Sequence, residues 1–93
     1  MDQVSDWILR ITVHDGLDGV NRVVGLLRHR GTRPRSITAW VTNKPNLWLL
    51  EHQLTASEDQ AELLHKQLER LTCVVTVARK RTADPRGAFT RWE

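Results

Sequence analysis

In the segment WILRITVHDGLDGVNRVVGLLRHRG (Trp7–Gly31), the apolar period changes from that of a strand to that of a helix across one short turn. Trp7, Leu9, Ile11 and Val13 alternate with Ile8, Arg10, Thr12 and His14, which predicts a half-buried strand over Trp7–His14. The DGLDG that follows is a turn, with Asp18 placed to cap a helix. Val20, Val23, Val24 and Leu27 then recur at helical spacing and form one apolar stripe, with Arg22 and Arg28 off it. Arg28, His29 and Arg30 fall in the last turn, where cations complement the helix dipole; Gly31 is the left-handed stop, and Pro34 bars continuation. The basic run RHRGTRPRS is therefore mainly the end of a helix. Arg33 and Arg35 are left without a structural role.

The rest of the chain repeats the theme. Ser36–Asn43 alternates, with Ile37, Ala39 and Val41 on one face and Ser36, Thr38, Trp40 and Thr42 on the other. NKPN is a turn, and Leu47–Thr55 pairs back as a third strand, so the two form a hairpin. Ser57 and Gln60 make a capping box for a second helix, acidic early at Glu58, Asp59 and Glu62 and basic later at Lys66 and Arg70. Ala61, Leu64, Leu68 and Leu71 are its buried stripe, and Thr72–Arg79 is the fourth strand. The order βαββαβ with right-handed crossovers gives an α+β, ferredoxin-like fold: a four-stranded antiparallel sheet with two helices on one face. One domain is expected over residues 1–80, followed by a basic, flexible tail over 81–93.

Charge and composition narrow the function classes. The net charge of +3 lies entirely in residues 79–93; the body is neutral, unlike the one-sided basic field of a nucleic-acid domain. An RNA-recognition sheet shares this element order, but LWLLEHQLT lacks the glycine and the phenylalanines of its third-strand signature. Cys73 is the only cysteine, which excludes an internal disulfide and a cysteine-built zinc site. His14, His29, His52 and His65 lie on four separate elements and are read as satisfied or solvated, and no serine sits in a nucleophile motif, so no enzyme is expected. The start MDQVSDW lacks the features of a signal peptide and no apolar run approaches a membrane span; a cytoplasmic protein is expected. Trp40, Leu47 and Leu49 fall on the sheet face opposite the helices, where apolar residues mark an interface.

The turn DGLDG leading into VNRVVGLLRHRG, the strand RSITAWVT and the segment TASEDQAELLHKQLERLTCVVTVAR resemble an ACT domain. Within that family the chain is similar to the small regulatory subunits of acetolactate synthase (acetohydroxyacid synthase) in their short, single-ACT form. The resemblance covers Trp7–Arg79 and implies regulation rather than chemistry. It implies homodimers paired edge to edge, with a small amino acid held by the turn after strand one and the start of strand two. The matching positions are Asp15, Gly16, Asp18, Gly19 and Arg33. Backbone N–H groups of a glycine turn beside a helix N-terminus suit a carboxylate, and Asp15 suits an amino group. The chain departs from valine-sensing members at Arg33, where they carry asparagine, and at Asp18, where they carry glycine. That departure implies weak valine sensing or none. The implied partner is a catalytic large subunit of branched-chain amino acid biosynthesis, which would carry thiamine diphosphate, Mg²⁺ and FAD; no cofactor or metal is expected in this chain. A free-standing ACT sensor of an amino acid is the alternative.

Overall fold

The computed structural model describes residues 4–28 and 33–82. Six elements follow in the order β1 (Val4–Val13), α1 (Gly16–Arg28), β2 (Arg33–Val41), β3 (Trp48–Ser57), α2 (Glu58–Glu69) and β4 (Val74–Arg81). The strands form one antiparallel sheet in the order β2-β3-β1-β4, the ferredoxin-like arrangement expected from the sequence. Strict alternation decides the faces. Trp7, Leu9, Ile11 and Val13 of β1 lie in register with Leu54, His52, Leu50 and Trp48 of β3, and this face meets the helices. Val20, Val23 and Leu27 of α1 and Ala61, Leu64 and Leu68 of α2 close the core from above. The Trp7 indole N–H donates to the Ala56 carbonyl at 3.1 Å, so the largest core side chain is buried without an orphaned donor.

Several boundaries moved, each for a local reason. β1 begins at Val4 and stops at Val13, because Asp15 and Gly16 take left-handed φ values of 73° and 59° and turn the chain into α1. Asp18 is therefore not the N-cap: α1 starts at Gly16, the Gly19 N–H reaches the Asp15 carbonyl at 3.4 Å, and Asp18 stands exposed in the first turn. α2 keeps its expected box, with Ser57 Oγ accepting from the Gln60 N–H at 3.2 Å and Gln60 Oε1 accepting from the Ser57 N–H at 3.0 Å. β2 opens three residues early, at Arg33, and carries Pro34, which an edge strand tolerates. β4 starts at Val74 rather than Thr72, after a turn in which the Val74 N–H bonds Leu71, and it runs to Arg81. Thr82 then donates its N–H to the Asp6 carbonyl at 2.9 Å, so the ordered unit passes residue 80. Of the tail expected over 81–93, Arg81 belongs to β4 and residues 83–93 lie outside the described residues, as do His29, Arg30 and Gly31.

Gly19 is where α1 rests on the end of β1. A Cβ there would overlap the His14 carbonyl oxygen and come within 2.6 Å of Val13 Cγ1, whereas a Cβ on Gly25 would meet nothing within 4 Å. Gly19→Ala is therefore expected to destabilise the fold by about 1–3 kcal/mol through overpacking. Gly25→Ala is expected to stabilise it by up to about 1 kcal/mol through helix propensity. Denaturant unfolding of the two variants checks both signs, and equal effects would refute the packing account.

Candidate functional site

The β1–α1 turn and the β2–β3 turn meet at one end of the sheet. The Gly16 N–H donates to the Asn46 carbonyl at 2.9 Å, and Asn46 itself has φ 60°. Thr42 shapes the second turn, its hydroxyl donating to the Leu47 carbonyl at 2.8 Å. At the first turn Asp15 is exposed and its carboxylate sits 3.0 Å from His14 Nδ1. Gly16 has spent its amide on Asn46, and Gly19 is buried packing against β1. The donors left for a carboxylate are the next amides of the first turn, those of Leu17 and Asp18, which have no intrahelical acceptor.

Arg33 stands at the other end of the sheet. It pairs in register with Thr55, while Val41 pairs with Trp48 beside the turns. Those eight steps along β2 correspond to roughly 26 Å at ~3.3 Å per residue. One copy of the chain therefore does not bring Arg33 to Asp15, Gly16, Asp18 and Gly19. Arg33 instead borders a cavity of about 240 Å³ with Val4, Thr55 and Gln60. Arg35, the other unexplained cation, does have a structural role, because its guanidinium donates to Asp6 Oδ2 at 2.8 Å, while the Thr55 hydroxyl donates to Asp6 Oδ1 at 2.8 Å. These bonds, Thr55 first and Arg35 second, hold the Asp6 carboxyl below the usual carboxylate range.

Exposed apolar side chains gather on β2 at Ile37, Trp40 and Val41, while Val4, Leu17, Leu63 and Val75 stand singly on the other elements. Trp40 and Leu49 do face away from the helices, in one row with Thr12 and Thr76, and Trp40 is 43% exposed. Leu47 does not: it precedes β3 in the turn and is half-buried there, so it holds no sheet position. Sequence periodicity missed Ile37 and Val41. Both point to the helix side, yet they are 40% and 69% exposed, because α1 packs over β1 and β3, and α2 over β1, β3 and β4. Only the edge position of β2 reveals this; its alternation alone reads as a covered strand.

The histidines divide. His14 is exposed in the turn, and His65, buried on α2, accepts a hydrogen bond at Nδ1 from Arg79 Nη1 at 2.9 Å. His52 departs from the expectation of a satisfied or solvated ring: it is fully buried, with Nδ1 3.3 Å from the Ser36 carbonyl and no partner at Nε2. Among the described residues no three His, Cys, Asp or Glu side chains could hold a metal ion, and no helix is long and apolar enough to cross a membrane.

A family model described as the ACT domain matches residues 15–77, from the β1–α1 turn through most of β4. The chain belongs to the ACT domain family. Among solved structures, the ACT domain from GTP pyrophosphokinase of Chlorobium tepidum superposes with a TM-score of 0.73 at 20% identity, covering 83% of this chain and 99% of that one. An uncharacterized protein from Thermotoga maritima gives a TM-score of 0.74 at 18% identity, covering 87% of this chain and all of the other. At these identities the likeness is one of fold. No curated protein matches the chain. Membership carries a regulatory, ligand-sensing role.

The Asp6 pair supplies a titration test. With its folded value depressed, Asp6 contributes stability above the unfolded carboxyl value near 3.8, lost as pH falls through the lower folded value. NMR titration should place the Asp6 carboxyl below the usual carboxylate range and show Thr55→Val raising it; an unshifted carboxyl in the unsubstituted chain would refute the assigned geometry.

Proposed function

We propose that this ACT-domain chain is the regulatory small subunit of acetolactate synthase, binding and activating a separate catalytic subunit in branched-chain amino acid biosynthesis. The observation that carries the reading is the uncovered strand β2: Ile37, Trp40 and Val41 are exposed on both of its faces, a surface suited to be covered by protein. The residue-level resemblance along Trp7–Arg79 supplies the choice of partner. That partner, and not this chain, would carry thiamine diphosphate, Mg²⁺ and FAD.

The free edge of β2 also accounts for the separation of the ligand-site residues. Two copies paired antiparallel through β2, about a two-fold axis near Ile37, set Arg33 of the second copy against the Val41 end of the first. A site for a small amino acid would then be shared between copies, with turn residues from one and Arg33 from the other. Light scattering at micromolar concentration is expected to give the dimer mass or a larger one; a monomer would refute the paired-edge reading. Arg33 brings a bulky cation and Asp18 an extra acid, so calorimetry should find valine binding weaker than micromolar. Arg33→Asn should tighten it. Micromolar binding by the unsubstituted chain would overturn the account of Arg33 and Asp18.

Activation would work by differential affinity, the small subunit holding the partner's competent state more tightly than its relaxed one. Tenfold activation requires about 1.4 kcal/mol of such preference. The test is acetolactate formation from pyruvate by the large subunit, titrated with this chain. A rise in rate that is lost in folded Trp40→Ala or Leu49→Ala supports docking on the sheet. An unchanged rate with no complex on a sizing column overturns the subunit reading. A melting temperature raised by one amino acid would then favour a free-standing sensor.

A further inference from the structure

Strand β2 is attached unevenly. Its ladder to β3 slips between Pro34 and Ser36, which leaves Arg35 without a register partner, and Pro34 has no N–H to donate. Beside the interrupted ladder, two side-chain tethers reach the N-terminal half of β2. One is the ion pair of Arg35 with Asp6; the other is His52, which reaches from the central strand β3 to the Ser36 carbonyl. A carbonyl only accepts, so Nδ1 carries the proton and Nε2 presents a lone pair to the interior. No acceptor awaits a second proton there.

We infer that His52 makes the β2 edge proton-sensitive: a second proton places a charge in an apolar interior, and movement of the charged ring out to water breaks its bond to the Ser36 carbonyl and loosens β2 from β3, while the rest of the sheet stays paired. The surroundings of the imidazole support this. Its register neighbours are Leu9 on β1 and Ile37 on β2, and Leu50 and Leu54 flank it on its own strand. The helix residues that complete the core on this face of the sheet, Val20, Val23 and Leu27 of α1 and Ala61, Leu64 and Leu68 of α2, are apolar. Among the described residues the only other buried polar side chains are Ser57 and His65, and His65 is engaged with Arg79 on β4, the opposite edge strand. No buried carboxylate is present among them to welcome an imidazolium. A charged ring must reach water, and the two routes are unequal. On one side lies β1, paired along its whole length with β3 and also with β4; on the other lies an exposed edge strand that neither helix covers.

The direction with pH follows. Burial, partly opposed by the Ser36 hydrogen bond, lowers the His52 value from its ordinary 6.5. The opened form, with a solvated ring, binds the proton more readily, so acid favours opening as pH falls below 6.5 and the effect levels off below the folded value. Where two copies pair through β2, as in the functional reading above, loosening the strand weakens that pairing too.

Hydrogen exchange read by mass spectrometry tests the inference, with protection corrected for intrinsic rates at about pH 7.5 and about pH 5.5. Amides of Arg35–Val41 should lose protection as pH falls, by up to about tenfold, the limit set by an opened ring with the ordinary value of 6.5, while those of Leu9–Val13 do not. His52→Gln, or His52→Leu where the first folds poorly, should abolish the pH effect. The inference fails if β2 protection is independent of pH, if β1 opens equally, or if the variants respond as the unsubstituted chain does. Parallel light scattering separates the two readings: a monomer at every pH ends the paired-edge reading alone, because loosening of β2 remains measurable in it.

Discussion

The close approach of α1 to β1 at Gly19 is the constraint on which the rest of the molecule depends. Two left-handed residues, Asp15 and Gly16, reverse the chain within the span of a turn, and the absence of a side chain at Gly19 lets the first helical turn lie against the His14 carbonyl. The Gly16 amide is fixed at the same time to Asn46, which joins the β1–α1 and β2–β3 turns at one end of the sheet. A helix set down in this way lies over β1 and β3, and α2 takes the space over β1, β3 and β4. Two helices of these lengths do not cover four strands, and the strand left open is β2.

The open strand links fold to function. Apolar side chains on both faces of β2 are costly to leave in water, at about 25 cal/mol per Å² of apolar surface, and a second protein surface removes that cost. The two edges of the sheet are unlike in this respect. β4 ends in Arg79, Lys80 and Arg81, with Arg81 lying 5.1 Å over the Trp7 ring, a charged border of the kind that discourages pairing. β2 has its charges and its proline at the start, and its remaining residues, Ser36–Val41, present an uncharged border.

His52 and His65 show how one residue type takes opposite characters from its neighbours. Both are buried, and both have Nδ1 within hydrogen-bond reach of a partner. For His65 that partner is a permanent cation, which obliges Nδ1 to accept and directs the Nε2–H toward Glu69, 3.6 Å away. For His52 the partner is a carbonyl, which obliges Nδ1 to donate and strands Nε2 in apolar surroundings. The first arrangement ties α2 to β4; the second places a titratable weak point beneath the strand most open to a partner.

Local chemistry made much of this legible from sequence: the alternation of Trp7–Val13, the helical stripe of Val20–Leu27 and the reciprocal cap of Ser57 and Gln60 each act within one element and need no distant partner. The positions of Trp40 and Leu49 on the outer face followed from the same period of two. The sequence also carried enough to name the ACT family, because its turns and strand spacing are local. What tertiary structure alone decided depends on which element lies above which. Ile37 and Val41 follow the same alternation as covered residues, and only the strand order β2-β3-β1-β4, with both helices set elsewhere, exposes them. Arg33 and the β1–α1 turn looked like parts of one site until the antiparallel register set them at opposite ends of the sheet. His52 reads as an ordinary strand residue until burial removes the water that its second nitrogen would need. Period is a property of the chain, whereas coverage and solvation are properties of the assembled layers.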